Sequence, residues 1–128
     1  MKKSLEILSS AFWVARLPPE APTPEPPRGC ELWSVTRTAT ELSILCAGTD
    51  VPDGAQRHGP LSGMRIAGVL DFELVGVLES LLAPLRRAGI SVLASSTFDT
   101  DYVFVAVREA DAARTVLEND GWRFVPGS

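Results

Sequence analysis

Residues 69–107 read VLDFELVGVLESLLAPLRRAGISVLASSTFDTDYVFVAV, and this stretch decides the fold. Leu74, Leu78, Leu81, Leu82 and Leu85 recur at three- and four-residue spacings, with Glu79, Arg86 and Arg87 opposite them. That periodicity predicts an amphipathic helix over Val75 to Ala88. Gly89 follows the last apolar turn, where a residue free to go left-handed closes a helix, and two arginines sit at the negative end of the helix dipole. Ile90, Val92 and Ala94 then begin a period-2 run, and Tyr102 to Val107 is a second run rich in β-branched and aromatic residues. Phe98-Asp99-Thr100-Asp101 must join the two as a hairpin.

Outward from this core, Met64 to Leu70 reads as a strand. Glu109 to Asp120 reads as a second helix with Ala113, Val116 and Leu117 facing inward, closed by Gly121, and Trp122 to Val125 as a last strand. The order βαββαβ is the split βαβ, ferredoxin-like arrangement of an α+β fold, with both helices on one face of an antiparallel sheet. The first half is mostly β. Two short strands are predicted around Leu5 and Ile7 and over Ala11 to Leu17, then a loop in which six prolines crowd into Pro18 to Pro27. A hairpin of Leu32 to Thr38 and Leu42 to Ala47 follows, and a turn-rich segment from Gly48 to Gly63. The expected division is therefore residues 1–60 and 61–128. The halves also align with each other: Ala15 to Glu20 falls on Gly68 to Glu73, and Ser34 to Thr38 on Leu93 to Thr97, so the first half reads as a reduced copy whose helix has been eroded by proline.

At 128 residues the chain is long enough to bury a core without staples. A net charge of -4, with Lys and Arg scattered, argues against a nucleic-acid partner. No leader-like segment or apolar run approaching a membrane span is visible, so a cytoplasmic protein with no membrane association is expected. Cys30 and Cys46 lack any CxxC spacing and read as structural thiols. His58 is the single histidine, in a Gly- and Pro-flanked loop, which removes His-dependent nucleophilic catalysis and any His-containing metal cluster.

The candidate site is Ser95-Ser96-Thr97-Phe98-Asp99-Thr100-Asp101, a polar run between two apolar strands. Two readings stand at this point. Asp and Thr bond their own backbone readily, so the run is sufficient as a hairpin loop. Alternatively, strand-end amides, a hydroxyl and a fixed carboxylate together hold a zwitterion bearing a cationic side chain. Asp99-x-Asp101 as a metal pair lacks a third ligand.

The segment from Leu74 to Val105 resembles the ACT domain of small bacterial proteins with two ACT modules, and is similar to the amino-acid-binding repeats of aspartate kinases and of the CASTOR arginine sensors. Phe12 to Leu17 and Trp33 to Ala47 fit a first, reduced ACT-like module. Ser96 to Tyr102, preceded by Ala88-Gly89-Ile90-Ser91, is the most specific part. The resemblance implies ligand contacts at Ser96, Thr97, Phe98 and Asp101, the carboxylate engaging the ligand's cationic end, and a site for the α-groups of an amino acid at Asp71, Phe72, Glu73, Leu74, Val75 and Gly76. Leu74 stands where the arginine sensors place an acidic residue, which argues against arginine as the specific ligand. The expectation is a non-catalytic, cofactor-free sensor of an amino acid or related metabolite, assembled as a homodimer. Its rivals are a protein–protein interaction module with no small ligand and, further off, an enzyme using carboxylate, Tyr102 or Lys chemistry.

Overall fold

The computed structural model describes residues 3–68 and 76–126. The chain divides into two compact units, one of Ser10–Leu61 and one of Met1–Ser9 with Ser62–Ser128.

In the Ser10–Leu61 unit, β1 (Ser4–Leu17) pairs antiparallel with β3 (Leu42–Ala47), Phe12 opposite Ala47 and Leu17 opposite Leu42. Strand β2 (Ser34–Arg37) pairs antiparallel with β3 on its other edge. The tight turn between β2 and β3 is closed by the Thr38 amide donating to the Glu41 carbonyl at 2.9 Å, while the Thr38 hydroxyl accepts from the Thr40 and Glu41 amides at 3.2 Å each. Phe12, Ala15, Leu42, Ile44, Leu45 and Cys46 are buried here. The proline-rich segment is the predicted loop, and Arg37 fastens it: its guanidinium donates to the Pro19 carbonyl, to the Ala21 carbonyl at 2.7 Å and to the Thr23 hydroxyl at 2.9 Å.

Two boundaries differ from the sequence expectation. The two short N-terminal strands are one, because Ser9 and Ser10 interrupt the apolar pattern without supplying any residue that turns a chain. The fourth strand, β4 (Gln56–Ile66), starts well before the expected Met64, inside the segment read as turns. Its glycines serve close approach instead. A Cβ on Gly59 would lie 2.7 Å from the Trp13 ring and 2.9 Å from the Phe12 carbonyl, and one on Gly63 would lie 2.7 Å from the Phe104 ring.

The second unit carries the βαββαβ order: β4, α1 (Val77–Arg87), β5 (Leu93–Ser96), β6 (Asp101–Ala106), α2 (Ala110–Asn119) and β7 (Arg123–Phe124). Strand neighbours run β1, β4, β6, β5, with β7 on β1. The start of β1 thus stands between β7 and β4. The Lys3 and Leu5 carbonyls accept from the Arg123 and Val125 amides at 2.8 Å, and the intervening Ser4 carbonyl accepts from Ala67 at 2.9 Å. Alternate carbonyls of a strand face opposite edges, so three residues bond two neighbours.

Helix α1 buries Val77, Leu81, Pro84 and Leu85 in a core with Leu5, Met64, Ile66, Val103, Val105, Ala113, Leu117 and Trp122, with Leu78 and Leu82 half-buried at its margin. Both helices end as their glycines predict. At Gly89, φ +75°, the Gly89 amide donates to the Arg86 carbonyl and the Ile90 amide to the Leu85 carbonyl, both at 3.0 Å. Gly121 and Trp122 repeat that pattern on Glu118 and Leu117 at 3.1 and 3.0 Å. This cap also moves a strand boundary: Ile90, expected to open a strand, is the buried residue of the cap, and β5 begins at Leu93. Among the described residues no helix is long and apolar enough to cross a membrane.

Candidate functional site

The polar run sits where β5 becomes β6. Ser96 and Asp101 are cross-strand partners, the last pair of the ladder, so their side chains share one face. The Ser96 hydroxyl donates to Asp101 Oδ1 at 2.5 Å. Asp101 is half-buried, and among the described residues its carboxylate has no other hydrogen bond and no basic group within 4 Å. Beyond this pair the chain turns tightly. The Thr97 amide and hydroxyl donate to the Thr100 carbonyl at 2.9 and 3.2 Å, and the Thr100 amide donates back to the Thr97 hydroxyl at 3.4 Å. Thr97 Oγ1 is therefore spent on the turn. Phe98 and Asp99 occupy the tip, and Phe98 is 96% exposed. Thr100 points the other way: it is buried, and its hydroxyl donates to the Ile66 carbonyl at 2.8 Å.

Of the residues expected around the helix start, Asp71, Phe72, Glu73, Leu74 and Val75 lie outside the described residues. Gly76 is described. It is the N-cap of α1, at φ +83°, with no side-chain cap, and its carbonyl accepts from the Ser80 amide at 2.9 Å. The chain leading up to Gly68 is held from two sides. Thr100 holds Ile66, and Arg65 donates to the Gly68 carbonyl at 3.3 Å while pairing with Glu6 Oε2 at 2.9 Å. Burial works against the Arg65 charge, but its hydrogen bond to Glu6 and its interaction with the neighbouring Tyr102 outweigh that and raise its pKa, so the guanidinium is a fixed cation. Arg65 and Glu6 lie outside the run expected from the sequence, and Thr100, although inside it, was not among the expected contacts. Arg65 and Glu6 carry opposite charge inside predicted strands, which is the usable signal; Thr100, flanked by two acids in a turn, carries none.

Elsewhere, burial, reinforced by Asp50 and opposed by Arg57, pushes the Cys46 thiol up to about 11, and His58 is exposed. Among the described residues no three His, Cys, Asp or Glu side chains are grouped to hold a metal ion.

Residues 60–119 match the ACT domain family. The chain carries an ACT domain. Residues 10–54 match a second family, described as an N-terminal domain. In structure the chain is similar to a protein of Agobacterium tumefaciens, at TM-score 0.88 and 29% identity over 100% of this chain and 96% of that one. It is also similar to the aspartokinase alpha and beta subunits, at TM-score 0.67 and 12% identity over 94% and 98% of the two chains. The regulatory subunit of aspartate kinase from Thermus flavus matches at TM-score 0.61 and 8% identity, over 91% and 95%. The last two likenesses are of fold: the ACT unit is the ferredoxin-like fold of aspartate kinase regulatory chains. No curated protein sequence matches the chain.

Proposed function

We propose that this protein is a regulatory, small-molecule-binding protein of the ACT type, without catalysis of its own, whose ligand is an amino acid or a close relative. The observation that carries this reading is Asp101. A half-buried carboxylate, oriented by Ser96 and without a basic neighbour among the described residues, is suited to receive a cation from outside the chain. A ligand amine or guanidinium supplies it, and such a charge-assisted contact is worth about 1.5 to 3 kcal/mol. Ser96, Thr97 and Phe98 complete that side of the site. The α-carboxylate goes to the segment from Asp71 through Phe72, Glu73, Leu74 and Val75 to Gly76, ahead of α1, where the helix dipole favours an anion. The fold shared with aspartate kinase regulatory subunits supports regulation as the role. No cofactor or metal is needed for it, and the setting is cytoplasmic.

The same reading includes a homodimer. Among the described residues strand β5 ends the strand order, so its outer backbone is an edge to which a second chain can add. A specific observation favours the rival in which a protein replaces the small ligand: Phe98, 96% exposed, is the kind of apolar anchor a partner covers. A thermal-shift series over the twenty amino acids decides between them, since a ligand for the folded state raises the midpoint with concentration. Stabilisation by one or a few amino acids is expected, and a flat response to all of them sinks the amino-acid reading. Light scattering that returns the 13.8 kDa chain mass sinks the dimer.

A further inference from the structure

The geometry points to a second binding site, in the Ser10–Leu61 unit, which we infer takes a small carboxylate with a short apolar body on Arg16. A cavity of about 390 Å³ opens there, lined by Arg16, Leu17, Pro18, Pro19, Gly54 and Gln56. That volume falls within the ~300 to 1,000 Å³ of small-molecule pockets. Its walls are held before any ligand arrives. The Ala21 amide donates to the Pro18 carbonyl at 3.0 Å, Arg37 grips the Pro19 and Ala21 carbonyls, and the Ala55 amide closes a turn on the Pro52 carbonyl at 3.4 Å. Proline rings with fixed φ add to this, so little chain entropy remains to be lost on binding.

The lining divides by chemistry. Leu17, Pro18 and Pro19 offer hydrocarbon, and Arg16 and Gln56 offer polar groups. Arg16 Nη2 donates to the Thr40 carbonyl at 3.1 Å, and among the described residues the guanidinium has no carboxylate within 4 Å. One hydrogen bond of the five that a guanidinium can donate orients it and leaves donors for a planar, two-oxygen acceptor. The chain as a whole carries a net charge of -4, so attraction for an anion here comes from Arg16 itself and not from a general positive field. The flat donor fork matches a carboxylate or a phosphate, and the Leu17, Pro18 and Pro19 walls select a carboxylate that carries a short hydrocarbon body, which inorganic phosphate lacks.

The test is an amide correlation spectrum of the full chain titrated with sodium butyrate and, in parallel, with inorganic phosphate. Saturable shifts at the Leu17, Gly54 and Gln56 amides are expected with butyrate, weakened about tenfold or more in Arg16→Gln and less in Arg16→Lys. Asp101→Asn should leave this titration unchanged, which separates it from binding at the Ser96–Asp101 turn. Should Arg16→Gln disturb the fold, Gln56→Ala takes its place, with a smaller weakening expected. Shifts that never saturate, equal affinity in the variants, or tighter binding of phosphate than butyrate would overturn the inference.

Discussion

The indole Nε1 of Trp122 donates to the carbonyl oxygen of Ser80 at 3.4 Å. In an uninterrupted helix that carbonyl receives the amide of residue 84, but position 84 is a proline inside α1 and has no N–H to give. A buried residue just beyond α2 thus reaches the carbonyl that Pro84 leaves without its i+4 amide, and this ties the two helices. The two sites are therefore coupled. Pro84→Ala restores the helical donor, so Trp122→Phe should cost about 0.5 to 1.5 kcal/mol more in the wild-type background than in the Pro84→Ala background. Urea unfolding of the four proteins measures the difference, and strict additivity would mean that the indole contributes through packing alone.

Thr100 makes the corresponding link between the polar turn and β4. Its hydroxyl is buried on the Ile66 carbonyl, so Thr100→Val keeps the shape but leaves a buried carbonyl without that donor. The expected loss is about 1 to 3 kcal/mol. Asp99→Asn, at the exposed tip, is expected to stay within about 0.5 kcal/mol of wild type. Denaturation midpoints that rank the two the other way would show that the turn is not anchored through Thr100.

The face of α1 gives a larger contrast. Leu81 is fully buried and Glu79 exposed, so Leu81→Ala should cost roughly 2 to 5 kcal/mol, against under about 0.5 kcal/mol for Glu79→Ala. A single domain holds only about 5 to 15 kcal/mol, so the Leu81 variant should melt far earlier in calorimetry. Coincident melting curves would contradict the assigned face.

Cys46 and Cys30 should separate in reactivity. The Cys46 thiol is fully buried with its pKa raised to about 11, so at pH 8 only about a thousandth of it is thiolate, whereas Cys30 is half-buried. A disulfide-exchange reagent should titrate one thiol per chain in the native protein and the second only on unfolding. Raising the pH toward 11 raises the thiolate fraction but not the access, so native Cys46 should stay slow. Two thiols reacting at equal native rates would place Cys46 at the surface.

Legibility in the sequence followed how local each cause is. The caps at Gly89 and Gly121 were readable because a helix end is decided by the few residues that form it. So were the βαββαβ order and the hairpin ending in Asp101. The start of β4 was not, because Gly59 and Gly63 look like turn residues until Trp13 and Phe104, distant in sequence, are seen packed against them. The insertion of Lys3 to Leu5 beside β7 is likewise a long-range pairing with no local mark. In the candidate site Asp101 was legible as a strand-end carboxylate. The inward turn of Thr100 depends on the Ile66 carbonyl, and the Arg65 hold on Gly68 depends on Glu6 and Tyr102, none of which spacing alone reveals.

The sharpest expectation concerns the carboxylate itself. Asp101 opens β6, where pairing with Ser96 fixes its backbone, and the Ser96 hydroxyl holds one of its oxygens. Asp101→Asn keeps the shape and an oxygen for Ser96 but removes the charge. Binding of a basic amino acid should therefore weaken about tenfold to a hundredfold, the equivalent of losing one charge-assisted contact, with folding nearly intact. Ser96→Ala should weaken it less, since it frees the carboxylate to move without discharging it. Asp99→Asn should have little effect, because that side chain sits at the exposed tip and has no part in the pair. Calorimetry on the four proteins is decisive: unchanged affinity in Asp101→Asn, or an equal loss in Asp99→Asn, would leave the Ser96–Asp101 pair as turn chemistry alone.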